Sequence, residues 1–290
     1  MVQISQLPLP TIDARPMGAH RLFMFTDDTL FEACSTRIAF TTREGGVSKP
    51  PYDSLDIASH VGDDPQAVAQ NRSFVLDALG AEGAQLITTN QVHGTDVLTV
   101  SQGDGASLGR VRARAAEGAD AMVVEASKVA ALLCFADCMP VVMVAPSGRF
   151  ALAHAGWRGA VAGIVGKTLR ELARIEAAHA LHDETDAAIR AVAGATNVYI
   201  GPHIRSECFE TGEDVAARFR EVFGDEVLAD ERHVSLCAAA RVDLMRAGCD
   251  AERIADTQLC TMCDNDRFFS YRSSGGTCGR HGALGIRFQR

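Results

Sequence analysis

Residues 134–159 read CFADCMPVVMVAPSGRFALAHAGWRG. The apolar runs 129–135 and 139–145 flank a polar break at Asp137–Cys138, and a third run, 150–153, ends at His154. Short apolar runs bounded by turn signals predict buried strands. Pro146-Ser147-Gly148 supplies the turn between the second and the third. A thiol and an imidazole are thereby placed near strand ends, in a segment too apolar to hold unpaired polar groups without cost. A metal ion removes that cost, because thiolate and neutral imidazole are both good zinc ligands.

Working outward, 290 residues accommodate one large domain or two ordinary ones, and 47% apolar content is that of a globular chain with a real core. The net charge of −9 and a pI near 5.5 argue against a backbone-driven nucleic-acid binder, which needs a basic surface. Nucleoside-sized or phosphorylated substrates stay open, since local arginines override net charge. No apolar run reaches the roughly 18 residues of a membrane span. The start, MVQISQLPLPTIDARP, shows neither basic nor apolar signal regions. The nine cysteines then read as reduced thiols and potential metal ligands, and the expected compartment is the cytoplasm.

Along the chain, residues 1–36 carry prolines and little periodicity and read as an extended lead-in to a domain spanning 37–290. RIAFTT (37–42) predicts a strand running into the glycine turn 43–48. Arg43 there either lies beside amides that cradle an anion or is solvated on a surface hairpin. Asp64 and Pro65 predict a helix start and Gly80 its end. Strands are expected at 85–89, 97–100 and 121–125, with a Gly/Ser/Ala/Arg-rich loop at 101–118. After Trp157 the apolar positions Val161, Ile164, Val165, Leu169 and Leu172 keep helical period. One helix is expected from there, its positive N-terminal end near His154. Residues 176–196 read as helix plus connector, 198–201 as a strand, 210–224 and 234–247 as helices, and 254–257, 268–271 and 284–288 as late strands. This mixture predicts a single domain of α/β (α+β) class.

The candidate metal shell is His93, Cys138 and His154. Catalytic zinc sites draw ligands from separate strand ends and keep a fourth position open. The same residues also permit a Cys138–His154 nucleophilic pair, with Asp137 or Asn90 orienting the base, or plain turn and core residues. A rival grouping, Cys260-x-x-Cys263 with Cys278-x-x-His281, has the spacing of a Cys3His structural zinc site. The intervening FFSYR speaks against it, because it reads as a core strand. No dinucleotide-binding glycine fingerprint, P-loop, zincin or zinc-deaminase signature occurs.

The motifs TTREGGVS (41–48), PYDSLDIASHVGDD (51–64), QVHGTDV (91–97), ADAMVV (119–124), ADCMPVVM (136–143), HAGWRG (154–159), IGPHI (200–204) and FFSYR…GR (268–280) stand in this order. Together the chain resembles the YfiH-like family, also called laccase-domain or multicopper polyphenol oxidase-like, whose members are described as purine nucleoside phosphorylases. The resemblance implies mixed β-sheets in a sandwich-like arrangement flanked by helices, and one zinc held by His93, Cys138 and His154. It also implies phosphorolysis of adenosine, inosine, guanosine and methylthioadenosine, with adenosine deamination. A copper-dependent (Cu2+) phenol oxidase and a hydrolase editing peptidoglycan precursors are the alternatives the family carries. The chain departs from the family pattern at Ser54-Leu55-Asp56, where asparagine is usual, and at Phe209-Glu210-Thr211-Gly212, where tyrosine is usual.

The expected partners are a nucleoside and phosphate, with no nucleic acid and no membrane, on a monomer or homodimer. Cations must hold the phosphate while positive charge builds on the ribose, so Arg43, Arg158 and Arg280 are the expected phosphate ligands and Gln91 a further substrate contact. Asp137 and Glu210 are the acid–base candidates. Zn2+ would serve as Lewis acid.

Overall fold

The computed structural model describes residues 6–289; the first five residues of the lead-in and Arg290 lie outside them. The three runs of the opening stretch form β7 (Val129–Phe135), β8 (Met139–Val144) and β9 (Phe150–Ala155). Every residue of all three is buried. The absence of polar alternation has a direct cause, because each strand packs on both faces. On β8, Val142 and Val144 point into the core between two sheets, while Met139, Val141 and Met143 point into a core under helices. On β7, Ala131, Leu133 and Phe135 take the inter-sheet side, and Ala130, Leu132 and Cys134 the outer side.

The remaining strands are β1 (Asp13–Met17), β2 (Leu22–Thr26), β3 (Thr36–Thr41), β4 (Gln85–Thr88), β5 (Val97–Val100), β6 (Ala121–Val124), β10 (Asn197–Ile200), β11 (Ile254–Asp256) and β12 (His281–Arg287). They build two six-stranded mixed sheets, ordered β1-β2-β3-β12-β7-β4 and β11-β10-β8-β9-β6-β5. Within the first, β4 runs parallel to β7; within the second, β5 runs parallel to β6 and β10 to β11. The sheets pack face to face, joined by Ile38, Phe40, Leu133, Phe150, Leu152 and Tyr199. This is the expected α/β class with two mixed sheets flanked by helices.

The helices are α1 (Asp28–Cys34), α2 (Pro65–Ala78), α3 (Gly105–Glu117), α4 (Trp157–Val161), α5 (Ile164–Ala180), α6 (Asp186–Ala195), α7 (Glu213–Phe223) and α8 (Leu236–Arg246). The Asp64 carboxylate accepts from Gln66 N at 2.9 Å, and Pro65 opens α2 as expected. α2 covers the outer face of the first sheet through Val75, while α5 and α8 cover the second through Leu169, Leu172 and Leu244. Among the described residues no helix is long and apolar enough to cross a membrane.

Four local expectations are corrected. Residues 13–34, read as lead-in, form a hairpin and α1, and β2 pairs with β3. The loop at 101–118 is mostly α3, because Asp104 caps it by accepting from Ala106 N and Ser107 N. The helix expected to run on from Trp157 is broken at Gly163, which has φ of +76°. Its first piece, α4, has only five residues, too short to sum the dipole expected beside His154. The stretch 268–271 is turn and coil. Phe268 and Phe269 are both fully buried but enter different clusters, which serves an anchored loop and not a ladder strand.

Candidate metal centre

His154 shares strand parity with Phe150 and Leu152, so its side chain points between the sheets. It lies at the end of β9, against the Phe135 ring at 5.4 Å. Cys138 sits in the turn between β7 and β8, after Asp137, whose φ is +84°. His93 sits in the turn between β4 and β5 with φ of +61°. Two turns and a strand end thus meet at one mouth of the sandwich. The Cys138 thiol and both imidazoles offer donor atoms within 4.8 Å of one another. Cys138 Sγ is 3.8 Å from His93 Nε2. A tetrahedral zinc with usual bond lengths holds sulfur and nitrogen about 3.5 Å apart, so this donor set fits the ion with little adjustment. Gly156 makes room: a Cβ there would fall 2.7 Å from the His93 ring and 3.1 Å from Cys138 Sγ.

A carboxylate that sequence reading passed over organises the group. Asp120, fully buried, accepts from His154 Nδ1 at 2.8 Å, His93 N at 2.9 Å, Val92 N at 3.2 Å and Gly94 N at 2.7 Å. Burial pushes its pKa up, but the hydrogen bonds from His154 and these amides outweigh burial and hold it below the ordinary carboxylate value. It therefore fixes the His154 tautomer, leaves Nε2 to face Cys138, and pins the His93 turn. Burial pushes the Cys138 thiol up and His154 down, yet their mutual attraction wins. The thiol is drawn down by His154 and His93 and the imidazole raised by Cys138 and Asp120. Cys134, in contrast, is pushed up to about 12 by burial and stays a neutral thiol.

The group lines a cleft of about 450 Å³ together with Ile204, Phe209, Tyr271, Arg272 and Arg280, a size suited to a small molecule. The expected site residues divide here. Arg280 lines the cleft. Arg43 does not: its guanidinium donates to Asp53 O at 2.9 Å and Asn265 O at 2.8 Å and lies over Phe269, so it staples backbone. Arg158 is exposed on α4 and stacks on Trp157, outside the cleft. Glu210 pairs with Arg232 at 3.0 Å, also outside it.

Gln91 lines the cleft, but its amide exchanges two 2.9 Å hydrogen bonds with the backbone of Cys134, so its ordering role is structural. Asp137 lines it too, with Oδ1 accepting from Thr261 Oγ1 and Oδ2 from Arg272 N, both at 2.7 Å. That carboxylate is a brace for the 261–272 loop. Sequence reading missed Arg272 and His60 as cleft residues. His60, the histidine of the 51–64 motif, has its pKa lowered by burial and by the charges of Arg280 and Arg72, so it offers a neutral imidazole. The Cys3His grouping is dissolved: Cys278 packs with Ala136 and Phe269, and His281 lies buried on β12 against Phe268.

Comparison with known proteins places the chain in a family. The model of the family described as multi-copper polyphenol oxidoreductase laccase matches residues 37–287. The chain belongs to this YfiH-like family. Purine nucleoside phosphorylase YlmD of Geobacillus stearothermophilus is 34% identical over 250 residues, covering 83% of this chain and 86% of the relative. Adenosine deaminase RL5, from an unknown prokaryotic organism, is 31% identical over 251 residues, covering 83% and 90%. The crystal structure of Bacillus licheniformis YfiH superposes with a TM-score of 0.78 at 26% identity, covering 94% of this chain and 97% of that one.

Proposed function

We propose that this chain is a metal-dependent purine nucleoside phosphorylase that also deaminates adenosine, with Zn2+ held by His93, Cys138 and His154. The observation that carries it is the convergence of those three donors, ordered by Asp120, in the lining of a nucleoside-sized cleft with two arginines in its wall. The names of the two relatives supply the substrate class.

When bound, the metal supplies Lewis acidity in the cleft. The protein does the rest by position and charge. Arg280 and Arg272 offer cations to phosphate, taking the place expected of Arg43 and Arg158. Arg280 is preset, because its NH1 already donates to Cys278 O at 2.8 Å and Gly279 O at 2.9 Å. Phe209 and Tyr271 give flat apolar surface for a purine. The neutral His60 imidazole can accept a proton within the cleft, a role suited to deamination.

A copper phenol oxidase fits less well. Oxygen reduction in such enzymes draws on several coppers, and among the described residues histidines converge with other potential ligands in one group only.

The test is zinc-reconstituted protein given inosine and phosphate, and separately adenosine. Free base with ribose 1-phosphate, and inosine with ammonia, are expected, each lowered at least a hundredfold in Cys138→Ala. Products no higher than that control would overturn the proposal.

A further inference from the structure

The dissolved Cys3His grouping leaves a residue of interest. Cys260 and Cys263 remain together, and the fold brings Cys208 to them from 52 residues upstream in the chain. Three backbone features make the meeting. The parallel β10–β11 pairing is extended by a bridge between His203 and Cys260, with His203 N donating to Leu259 O and Thr261 N to His203 O. Asp264 N donates to Cys260 O at 2.9 Å, closing a turn that returns Cys263 to the side of Cys260. Cys208 N donates to Arg205 O at 2.9 Å, turning the 205–208 segment toward both.

The three sulfurs lie within 4.8 Å of one another, Cys208 and Cys263 at 3.4 Å. Thiolates around a tetrahedral zinc stand about 3.8 Å apart, and this spacing brackets that value. Arg205 N also points at Cys260 Sγ at 3.5 Å. Such an N–H···S contact supports a metal-bound thiolate from the outer shell. Cys260 is buried and Cys263 exposed, so the set has a closed side and a side open to a fourth, solvent-derived ligand.

We propose that Cys208, Cys260 and Cys263 form a second metal site, for a thiophilic d10 divalent ion of which Zn2+ is the first candidate. It is separate from the His93–Cys138–His154 group and independent of the nucleoside reading. Its ion cross-links a segment that walls the cleft to one that braces it. Cys208 adjoins Phe209, and Cys260 adjoins Thr261, whose hydroxyl holds Asp137. The site acts as a clamp on cleft shape and carries no chemistry of its own.

The experiment titrates the full-length chain, reduced and stripped of metal, with Zn2+ against a chromophoric chelator, and with Cd2+ followed by thiolate-to-metal charge transfer. Two equivalents are expected. The Cys208→Ser/Cys263→Ser variant should bind one and lose most of the charge-transfer intensity. The His93→Ala/His154→Ala variant should still bind one, with that intensity largely kept. One equivalent in the wild-type chain overturns the proposal. So does failure of the folded histidine variant, checked by circular dichroism, to bind any ion. A Cys208–Cys263 disulfide that, once reduced, restores no second equivalent has the same consequence.

Discussion

Asp120 shows how much one buried side chain can decide. Its two oxygens accept four hydrogen bonds, one from the His154 imidazole and three from the amides of the turn that presents His93. Asparagine has the same shape but must aim an NH2 at groups that are themselves donors. Asp120→Asn should therefore weaken metal binding by roughly ten- to a hundredfold, the usual cost of losing a carboxylate behind a ligating histidine. Chelator competition measures it, and an unchanged affinity would show that Asp120 does not orient the site. The donor types were legible: a histidine beside a glycine in QVHGTDV, and a cysteine and a histidine at the ends of apolar runs. Asp120 was hidden in ADAMVV, where a lone acid before a strand looks like a turn residue.

At the scale of elements, short apolar runs located β3 to β12, plainest in the central stretch where each strand is buried on both faces, and helical period located most helices to within a few residues. It failed where capping or anchoring outweighs propensity. Composition made 101–118 a loop, yet Asp104 caps α3 with two hydrogen bonds, and Leu108 and Ala115 bury against the inter-sheet core. Asp104→Ala should lower the midpoint of unfolding, because two amides at the start of α3 lose their acceptor. Urea denaturation reads this, and a loss near zero would mean that burial alone holds the helix. FFSYR failed for the opposite reason. Its aromatics are strand formers, but Phe268 and Phe269 are drawn into two separate clusters, so the backbone turns between them.

For the molecule as a whole, Asp56 links the family motif 51–64 to stability. Its carboxyl is fully buried; Oδ1 accepts from Arg280 N at 2.7 Å and Ala58 N at 3.1 Å, while Oδ2 has no partner among the described residues. Burial raises its pKa from 3.8 to about 6, against those amide bonds, with Asp63 adding to the rise. The native state then keeps a proton that the unfolded chain releases between those values. Stability contributed at this position is full below about pH 4 and is lost as pH rises through about 6. Asp56→Asn, neutral throughout, should gain about 2 kcal/mol on the wild type between pH 4 and pH 7, taking 1.36 kcal/mol per pKa unit and leaving out the part already lost at pH 4. Unfolding free energies at the two pH values measure it, and parallel profiles would refute the assignment.

The linear chain by itself determined the strand runs, the capped α2, the α/β class and, through its ordered motifs, the family and the three donor residues. Only the tertiary structure decided that those donors meet, that Arg280 and Arg272 face the cleft while Arg43, Arg158 and Glu210 do not, and that Cys208 joins Cys260 and Cys263. The division has a physical cause. Periodicity and capping are local, written within a few residues. Which side chain faces which space depends on strand parity, sheet register and turns joining segments far apart, and a one-residue change in any of these turns a ligand away from the site.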